Sequence, residues 1–366
     1  MGYGLAKYRR QRKTMRKNLM ENKKIKLAVV GGSSLARLHA EGAVESGYSE
    51  LYAVCDIAPE RLENILKELR EKGIEPQKSC NDYMDLVNDP ELDAVVLVTP
   101  DQLHCEMTCA FLKAGKAVLC EKPMALSMEE CQTMMRCEKE TGSKLMVGQI
   151  GRCAPGFVLA KKLVDEGRIG EMMFIESEYA HNYEHVTGYG GWRLDPRRHG
   201  LIGGGCHAVD FLRWFAGDPI EVCAYANKKS LVNWVTDDTT IGIMKFPDNV
   251  LGKVFVSTGC KRNYTTRSVI YGTKGTIICD NCSPTIQLFE NNEELGKKFS
   301  DQPQILDVEP VSHNAKEEIR VFTEALAKKQ PIPISAMDGA CTVAVCSALL
   351  ESIEKGTNVT VKYPVV

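Results

Sequence analysis

The sequence lacks any long uninterrupted hydrophobic run. No apolar stretch approaches the ~20 residues that cross a bilayer, and no apolar signal-peptide core stands near the start. No internal repeat or low-complexity tract is present either. We therefore expect a protein that has no membrane partner and is located in the cytoplasm.

The spacings of a disulfide framework and of a zinc site are also missing, although the chain has 15 cysteines. Many of them stand singly inside apolar runs such as AVLCEKP, which favours buried, reduced thiols. Cys279 and Cys282 form the only C-x-x-C, and no second pair completes a zinc site. The sequence therefore predicts no metal, and it favours a reducing compartment.

Charge of one sign does not dominate the chain, whose formal net charge is −2. Its distribution is uneven, because residues 1–24 hold nine Lys/Arg and one acid, which leaves −10 for the rest. A basic arm of this kind can bind nucleic acid or anionic lipid. It can equally be a solvated or subunit-contacting extension, and the acidic body predicts no nucleic-acid partner.

Length and hydrophobic pattern predict two domains, since 366 residues exceed one ordinary core. From Lys26 onward, short apolar runs such as KLAVV alternate with helical patterns, which is typical of βαβ units. After about residue 150 the runs become longer and alternate in polarity, as in VLGKVFVST. We predict an α/β protein with three regions. They are a basic N-terminal extension over 1–24, a doubly wound parallel Rossmann sheet over 25–149, and an α/β domain with a large, mostly antiparallel open sheet over 150–366.

The first strand is followed by GGSSLARLH (31–39), which partly fits the dinucleotide fingerprint. Gly31 fills its first glycine position and Ala36 its third, but Ser33 stands at the second, where its Cβ crowds a pyrophosphate. Asp56 ends the second strand, where an acid can accept the ribose hydroxyls, and no Lys or Arg follows directly to hold a 2′-phosphate. These residues favour NAD over NADP. A doubly wound domain that binds no dinucleotide, with Asp56 as a helix cap, remains the alternative.

Four further motifs are TPDQLH (99–104), CEKPMAL (120–126), RCAPGFVLAKKLVDEGRIGEM (from Arg152) and GGGCHAVDFLRWFAG (from Gly203). Together with the glycine loop they resemble the Gfo/Idh/MocA family of sugar and polyol oxidoreductases, from about Lys26 to the C-terminus. The resemblance implies an NAD-dependent dehydrogenase of a sugar or glycoside and a homo-oligomer formed through the C-terminal sheet. It also implies cofactor-binding residues, which are Gly31, Ser33, Ser34, Leu35, Asp56, Thr99, Pro100, His104, Glu121 and Lys122.

The same resemblance assigns catalysis to Lys122 and His207. Lys122 of the EKP motif would polarise the reacting hydroxyl, because a nearby cation stabilises an alkoxide. His207 of H-x-x-D-x-x-R-W would relay the proton. Taken alone, His207 could also be a buried core histidine; a metal role is disfavoured, since no ligand cluster accompanies it.

One position departs from the family. Many members carry an acid four residues before this histidine, where this chain has Gly203. The partner of His207 must then come from elsewhere, and Asp210, Asp195 and Tyr183 are the candidates. Asp210 could instead orient His207 or cap local backbone.

The aromatic stretch YAHNYEHVTGYGGWRLDPRRHG (179–200) is predicted to form the substrate wall, because rings stack on sugar faces and polar groups bind hydroxyls. Subunit contact or loop packing is the alternative. The predicted substrate residues are Arg152, Tyr183, Trp192, Arg193, Asp195 and Asp210.

The variant motif and this wall resemble family members that oxidise C3 of a glucoside, some of which keep the cofactor tightly bound. A redox glycosidase that releases the aglycone, and a non-catalytic sugar or NAD sensor of the same fold, remain alternatives.

Overall fold

Six parallel strands form the first sheet, in the spatial order β3-β2-β1-β4-β5-β6. The computed structural model describes residues 24–290 and 302–365, so the predicted basic arm, apart from Lys24, lies outside the described residues. The central strands are Ala-, Val- and Leu-rich and buried on both faces, as parallel strands between helices must be. The strands are β1 Ile25–Val30, β2 Ser49–Cys55, β3 Lys78–Cys80, β4 Ala94–Leu97, β5 Ala117–Glu121 and β6 Leu145–Gly148.

Ten α-helices lie in the described residues. Several begin at a side chain that accepts a backbone N–H bond, at Ser33, Asp82, Ser127, Asn314 and Ser335, which satisfies the open first turn. The helices are α1 Ser34–Glu45, α2 Pro59–Glu71, α3 Tyr83–Val87, α4 His104–Lys113, α5 Met128–Thr141, α6 Pro155–Asp165, α7 Gly200–Gly203, α8 Cys206–Ala216, α9 Ala315–Ala327 and α10 Ala336–Lys355.

The second sheet has nine strands in the order β14-β13-β12-β11-β7-β10-β9-β8-β15. Only β7 and β10 pair in parallel, and the other pairs are antiparallel. One face packs on α8 and α10, which is why apolar residues alternate along the strands. The strands are β7 Met172–Ala180, β8 Glu221–Asn227, β9 Thr239–Lys245, β10 Leu251–Ser257, β11 Thr265–Gly272, β12 Gly275–Asp280, β13 Thr285–Glu290, β14 Gln304–Asp307 and β15 Val359–Thr360.

The predicted fold class, a Rossmann sheet followed by a mostly antiparallel sheet, is confirmed. The C-terminal helices also cover the first sheet: Ile319 and Phe322 of α9 are fully buried in one cluster with Leu27 of β1. The boundary at residue 150 stays a prediction. By length and composition alone α10 could cross a membrane, but 67% of its apolar window is buried inside the protein, as in the core helix of a globular fold.

A segment of irregular backbone, residues 181–199, runs from the second sheet across the edge of the first; we call it the strap. Four of its residues contact the Rossmann half, one of them Asp195, whose carboxylate accepts from the Gln102 side-chain amide at 3.2 Å. The Tyr189 hydroxyl donates to Glu60 at 2.8 Å, the Trp192 carbonyl accepts from Gln102 at 2.9 Å, and Arg198 pairs with Asp101 at 2.6 Å. The strap therefore closes one side of the cleft at the carboxyl ends of the first sheet's strands, where α/β proteins bind ligands.

Candidate active site

The loop after β1 lets a ligand approach the backbone closely. Gly31 has φ +117°, and a Cβ there would lie 2.3 Å from the Val98 carbonyl oxygen, so only glycine fits. The Oγ of Ser33 caps α1 by accepting the Ala36 N–H at 3.3 Å. The helix start offers free N–H groups and a partial positive charge, which suit a phosphate. The loop fits a dinucleotide although Ser33 replaces the second glycine.

Asp56 marks the place for the adenosine half. Its Oδ2 accepts the Gly32 N–H at 2.5 Å and lies 3.3 Å from the Arg61 guanidinium. A cavity of about 480 Å³ opens beside it, and Tyr189 of the strap lies on its far wall. Arg61 stands five residues after Asp56, on the first turn of α2, and the sequence reading did not single it out.

A second cavity, of about 240 Å³, joins the cofactor loop to the predicted catalytic residues. Eleven predicted site residues line it: Ser33, Ser34, Leu35, Thr99, Pro100, Glu121, Lys122, Tyr183, Trp192, Arg193 and His207. Other lining residues were not predicted as site residues: Arg61, Val98, Asp101, Tyr179, His181, Arg198, Tyr264 and His313.

Lys122 and His207 face this cavity from opposite halves. Lys122 follows β5, its bond to Pro123 is cis, and its Nζ donates to the Gly203 carbonyl at 3.4 Å. His207 lies on the first turn of α8, with its ring stacked on Tyr179 at a centroid distance of 6.0 Å. Burial lowers the pKa of His207 well below its usual value, and the charge of Lys122 lowers it further. A neutral imidazole beside a cationic amine can accept a proton from a bound hydroxyl.

Arg198 occupies the space that a side chain at residue 203 would need. A Cβ on Gly203 would lie 2.3 Å from the guanidinium carbon of Arg198. That guanidinium is buried, pairs with the buried Asp101, and donates to the Gly203 carbonyl at 3.1 Å. The place of the missing acid is thus filled by a cation.

Tyr183 is the only one of the three candidate partners of His207 that lines the cavity. Its hydroxyl bonds to that of Tyr179 at 2.9 Å. Asp210 makes a buried two-point pair with Arg152, at 2.9 and 2.7 Å, so neither side chain lines the cavity. Asp195 pairs with Arg197 at 2.7 Å, accepts from Gln102 at 3.2 Å and does not line the cavity.

His104 also lies outside both cavities, fully buried beneath them. Its Nδ1 lies 2.8 Å from the Pro123 carbonyl oxygen and its Nε2 lies 3.2 Å from that of Thr99. It therefore ties the EKP loop to the loop after β4. In this structure it can position cofactor-side loops but does not line the cofactor's cavity.

Behind Lys122, three buried titratable side chains meet. His39 Nε2 is 2.9 Å from Glu121 and 4.0 Å from Glu318, and the nearest oxygens and nitrogen all lie within 4.8 Å of one another. Burial and the charge of Glu121 raise the pKa of Glu318 well above its usual value. Burial, the largest single effect, opposes ionisation of Glu121, but the hydrogen bond and charge of His39 and the charge and backbone N–H of Lys122 together outweigh it and lower that pKa. The three side chains are of types that bind metal ions. The directions of the two pKa shifts indicate instead that Glu318 is the protonated carboxyl and Glu121 the ionised one.

Several lining residues were not named individually from the sequence because they carry no motif, although Tyr179, His181 and Arg198 lie in the predicted wall over 179–200. Tyr179 and Tyr264 lie at strand ends, where their alternation matches a core pattern, and His313 precedes α9 far along the chain. Arg198 follows Arg197 directly, and nothing local tells which of the two turns inward. His181 bonds to Tyr179 at 3.1 Å and completes the ring cluster around His207.

Comparison with known proteins agrees with this architecture. Residues 25–149 match a family described as an oxidoreductase family with an NAD-binding Rossmann fold, and residues 157–278 match the GFO/IDH/MocA C-terminal domain. A myo-inositol 2-dehydrogenase of Thermotoga maritima is 26% identical over 92% of this chain and 98% of its own. An inositol 2-dehydrogenase/D-chiro-inositol 3-dehydrogenase of Lactiplantibacillus plantarum is 28% identical over 86% of this chain and 87% of its own.

A solved structure of levoglucosan dehydrogenase in complex with NADH has the same fold. It superposes with a TM-score of 0.82 at 22% identity and covers 93% of this chain and all of its own. The two matched regions together span more than half of the sequence. The chain therefore belongs to the GFO/IDH/MocA family of oxidoreductases, with an NAD-binding Rossmann fold in its N-terminal half.

Proposed function

We propose that the protein oxidises a secondary hydroxyl of a sugar or glycoside. The observation that carries this proposal is the shared cavity: Lys122 and His207 line the same space as Ser33 and Ser34 of the cofactor loop. The relatives named as inositol dehydrogenases and the fold neighbour named as a levoglucosan dehydrogenase support the substrate class.

In the proposed reaction Lys122 donates a hydrogen bond to the reacting oxygen and stabilises the negative charge that develops on it. His207, which is neutral, accepts the hydroxyl proton. Bound NAD would supply the hydride acceptor, and loss of a hydride from the carbon that bears the reacting oxygen would leave a carbonyl group there. Tyr183, Trp192 and Arg193 hold the sugar from the strap side.

The proposal extends to the carbon that is oxidised, the retention of NAD, the cellular location and the assembly. Oxidation at C3 of a glucoside follows only from the resemblance. Tight retention of NAD is supported by Tyr189, which lines the cofactor cavity and bonds to Glu60 of the Rossmann half. A cytoplasmic location and assembly of a homo-oligomer through the second sheet complete the proposal, and neither a nucleic acid nor a membrane is proposed as a partner.

The test is mass spectrometry of free sugars and glycosides after incubation with the protein, NAD and a keto-sugar acceptor. We expect a product that lacks two hydrogens. Release of free aglycone would identify the protein as a redox glycosidase instead. If the protein binds NAD but changes none of the sugars or glycosides, it would be identified as a sensor.

The same assay on Lys122→Ala is expected to lose at least ~10²-fold in turnover. The exposed Lys139→Ala serves as the matched control. Both variants should fold and retain NAD, and an unchanged rate in Lys122→Ala would overturn the mechanism.

A further inference from the structure

The substrate end of the cavity carries positive charge that no acid in the described residues balances. Two acids line the cavity, and each is already bonded: Asp101 to Arg198 at 2.6 Å, and Glu121 to His39 at 2.9 Å. Lys122 and Arg193 line the same cavity, and within the described part of the chain neither forms an ion pair. The cavity therefore offers one cation in excess, Arg193, because the ionised Glu121 beside Lys122 offsets the charge of that lysine.

Arg193 belongs to the substrate side of this cavity. Its guanidinium lies 4.6 Å from the Trp192 ring centre and 5.8 Å from that of Tyr183. Tyr183 bonds to Tyr179, and Tyr179 stacks on the His207 ring. Contacts to rings leave the hydrogen-bonding edge of a guanidinium free for a planar anion.

The titration of the neighbouring histidines agrees with this excess. Burial and then the charge of Arg193 lower the pKa of His181 to about 4. Burial and then Lys122 lower the pKa of His313 and of His207 as well. All three imidazoles are thus neutral near pH 7, and they neither add to the positive charge nor cancel it.

Glycine at position 203 also leaves the cavity without a negatively charged carboxylate at that place. Arg198 fills the space beside Gly203, so no carboxylate can stand there. An acid at that place would repel an anionic ligand, whereas the cations Lys122, Arg193 and Arg198 all line this cavity. Arg–carboxylate pairs are frequently bidentate, and such pairs fix orientation as well as adding affinity.

We propose that the sugar substrate carries an anionic group, a carboxylate or a phosphate, which Arg193 binds while Lys122 and His207 act on a hydroxyl. This inference rests on the proposed function and narrows its substrate class to acidic sugars. The Arg193 guanidinium is the specificity-determining group, because it is the cation of the cavity that is neither paired nor assigned to the reacting oxygen.

The experiment compares matched neutral and acidic sugars, glucose against glucuronate and glucose 6-phosphate, and their methyl glycosides where available. Binding to the NAD-loaded protein is measured by calorimetry, and turnover by mass spectrometry. We expect at least tenfold tighter binding of one acidic series than of the neutral series, weakened by added salt. The preferred series distinguishes carboxylate from phosphate.

Arg193→Gln should raise the KM for the acidic sugar at least tenfold more than it raises the KM for the matched neutral sugar. Arg197→Gln is the matched control, since Arg197 is exposed on the same strap, pairs with Asp195 and does not line the cavity. Loss of NAD affinity in Arg193→Gln without a change in sugar preference would overturn the inference, because Arg193 would then serve the cofactor.

The two levels of the proposal fail separately. Neutral sugars bound and oxidised as well as acidic ones would overturn the anionic substrate but keep the dehydrogenase. Binding of acidic sugars without turnover of any sugar would keep the anion site and overturn the dehydrogenase.

Discussion

A histidine accepts a proton only while it is neutral, and the surroundings of His207 keep it so. Its pKa is lowered by burial, then by Lys122 and the neighbouring His313 and His181. Protonation of His207 therefore begins below the usual range of a histidine, near 6.5. The working form of the base persists into mildly acidic solution.

The pH profile of kcat/KM tests this. As the pH falls, protonation of His207 removes the base, so activity declines; because the pKa is lowered, we expect the acid limb to lie below pH ~6.5. The measurement is initial rate against pH from 5 to 9 at saturating NAD. An acid limb centred above that value would show that another group acts as the base.

Gly203 yields a second prediction at this scale. Gly203→Asp should destabilise the protein by about 1–3 kcal/mol, because its side chain would overlap the Arg198 guanidinium. Thermal unfolding of the single variant measures this. The same substitution in an Arg198→Ala background should cost much less, and equal costs in the two backgrounds would contradict the overlap.

Among single residues, the motifs predicted the two catalytic candidates better than the other residues that line the cavity. Lys122 and His207 stand in contiguous motifs, and both line the cavity. Arg152 and Asp210 also stand in motifs, but they bind each other in the interior. A sequence shows that a charge is present, whereas its partner depends on which side chains the fold brings within a few ångströms.

At the scale of elements, the longer helices follow local signals, because caps and amphipathic periodicity involve only neighbouring residues. The long helix begins at Ala336, where Ser335 and Asp338 form a capping box. Strands β3, β13, β14 and β15 were not predicted. Three of them, β3, β14 and β15, are two to four residues long and largely exposed. Their pairing comes from neighbouring strands and not from their own composition.

The strap is the element whose contacts could not be predicted, since they join residues about a hundred positions apart. Tyr189→Phe removes the hydroxyl that bonds to Glu60 at 2.8 Å. We expect NAD to dissociate about two- to tenfold faster, the effect of one partly exposed hydrogen bond. Stopped-flow fluorescence of NADH release measures this rate.

Tyr271→Phe is the matched control for that experiment. Tyr271 lies on β11 and packs against Phe174 of β7, outside the strap. If NADH is released equally faster from both variants, the strap does not retain the cofactor. An unchanged rate in Tyr189→Phe would do the same.

At the scale of the molecule, the outer face of the second sheet exposes a cluster of apolar side chains. Tyr225 and Ile241 lie opposite each other in neighbouring strands, and Ile243 and Leu251 are close by. Their exposed fractions are 71%, 42%, 60% and 48%. Contiguous exposed apolar surface of this kind marks an interaction site, and the proposed homo-oligomer would cover it.

Ile243→Lys tests this assembly, because it places a charge in the centre of the cluster. We expect the native protein to be an oligomer by light scattering and the variant to dissociate at least tenfold more readily. Val158→Lys, on the exposed side of α6, is the control. A monomeric native protein, or an oligomer indifferent to Ile243→Lys, would contradict the proposal.

The buried pair of Arg198 and Asp101 joins the two halves of the chain by charge, since Asp101 belongs to the first sheet's region and Arg198 to the strap. A recombinant that took one half from a relative with an acid at position 203 would inherit one member of this pair without the other. An unmatched buried charge costs about 3–5 kcal/mol, a large part of the stability of an ordinary domain. Residues 101, 198 and 203 are therefore expected to change together during evolution. Exchange of halves between relatives should give a stable protein only where both parents have the same residues at these three positions.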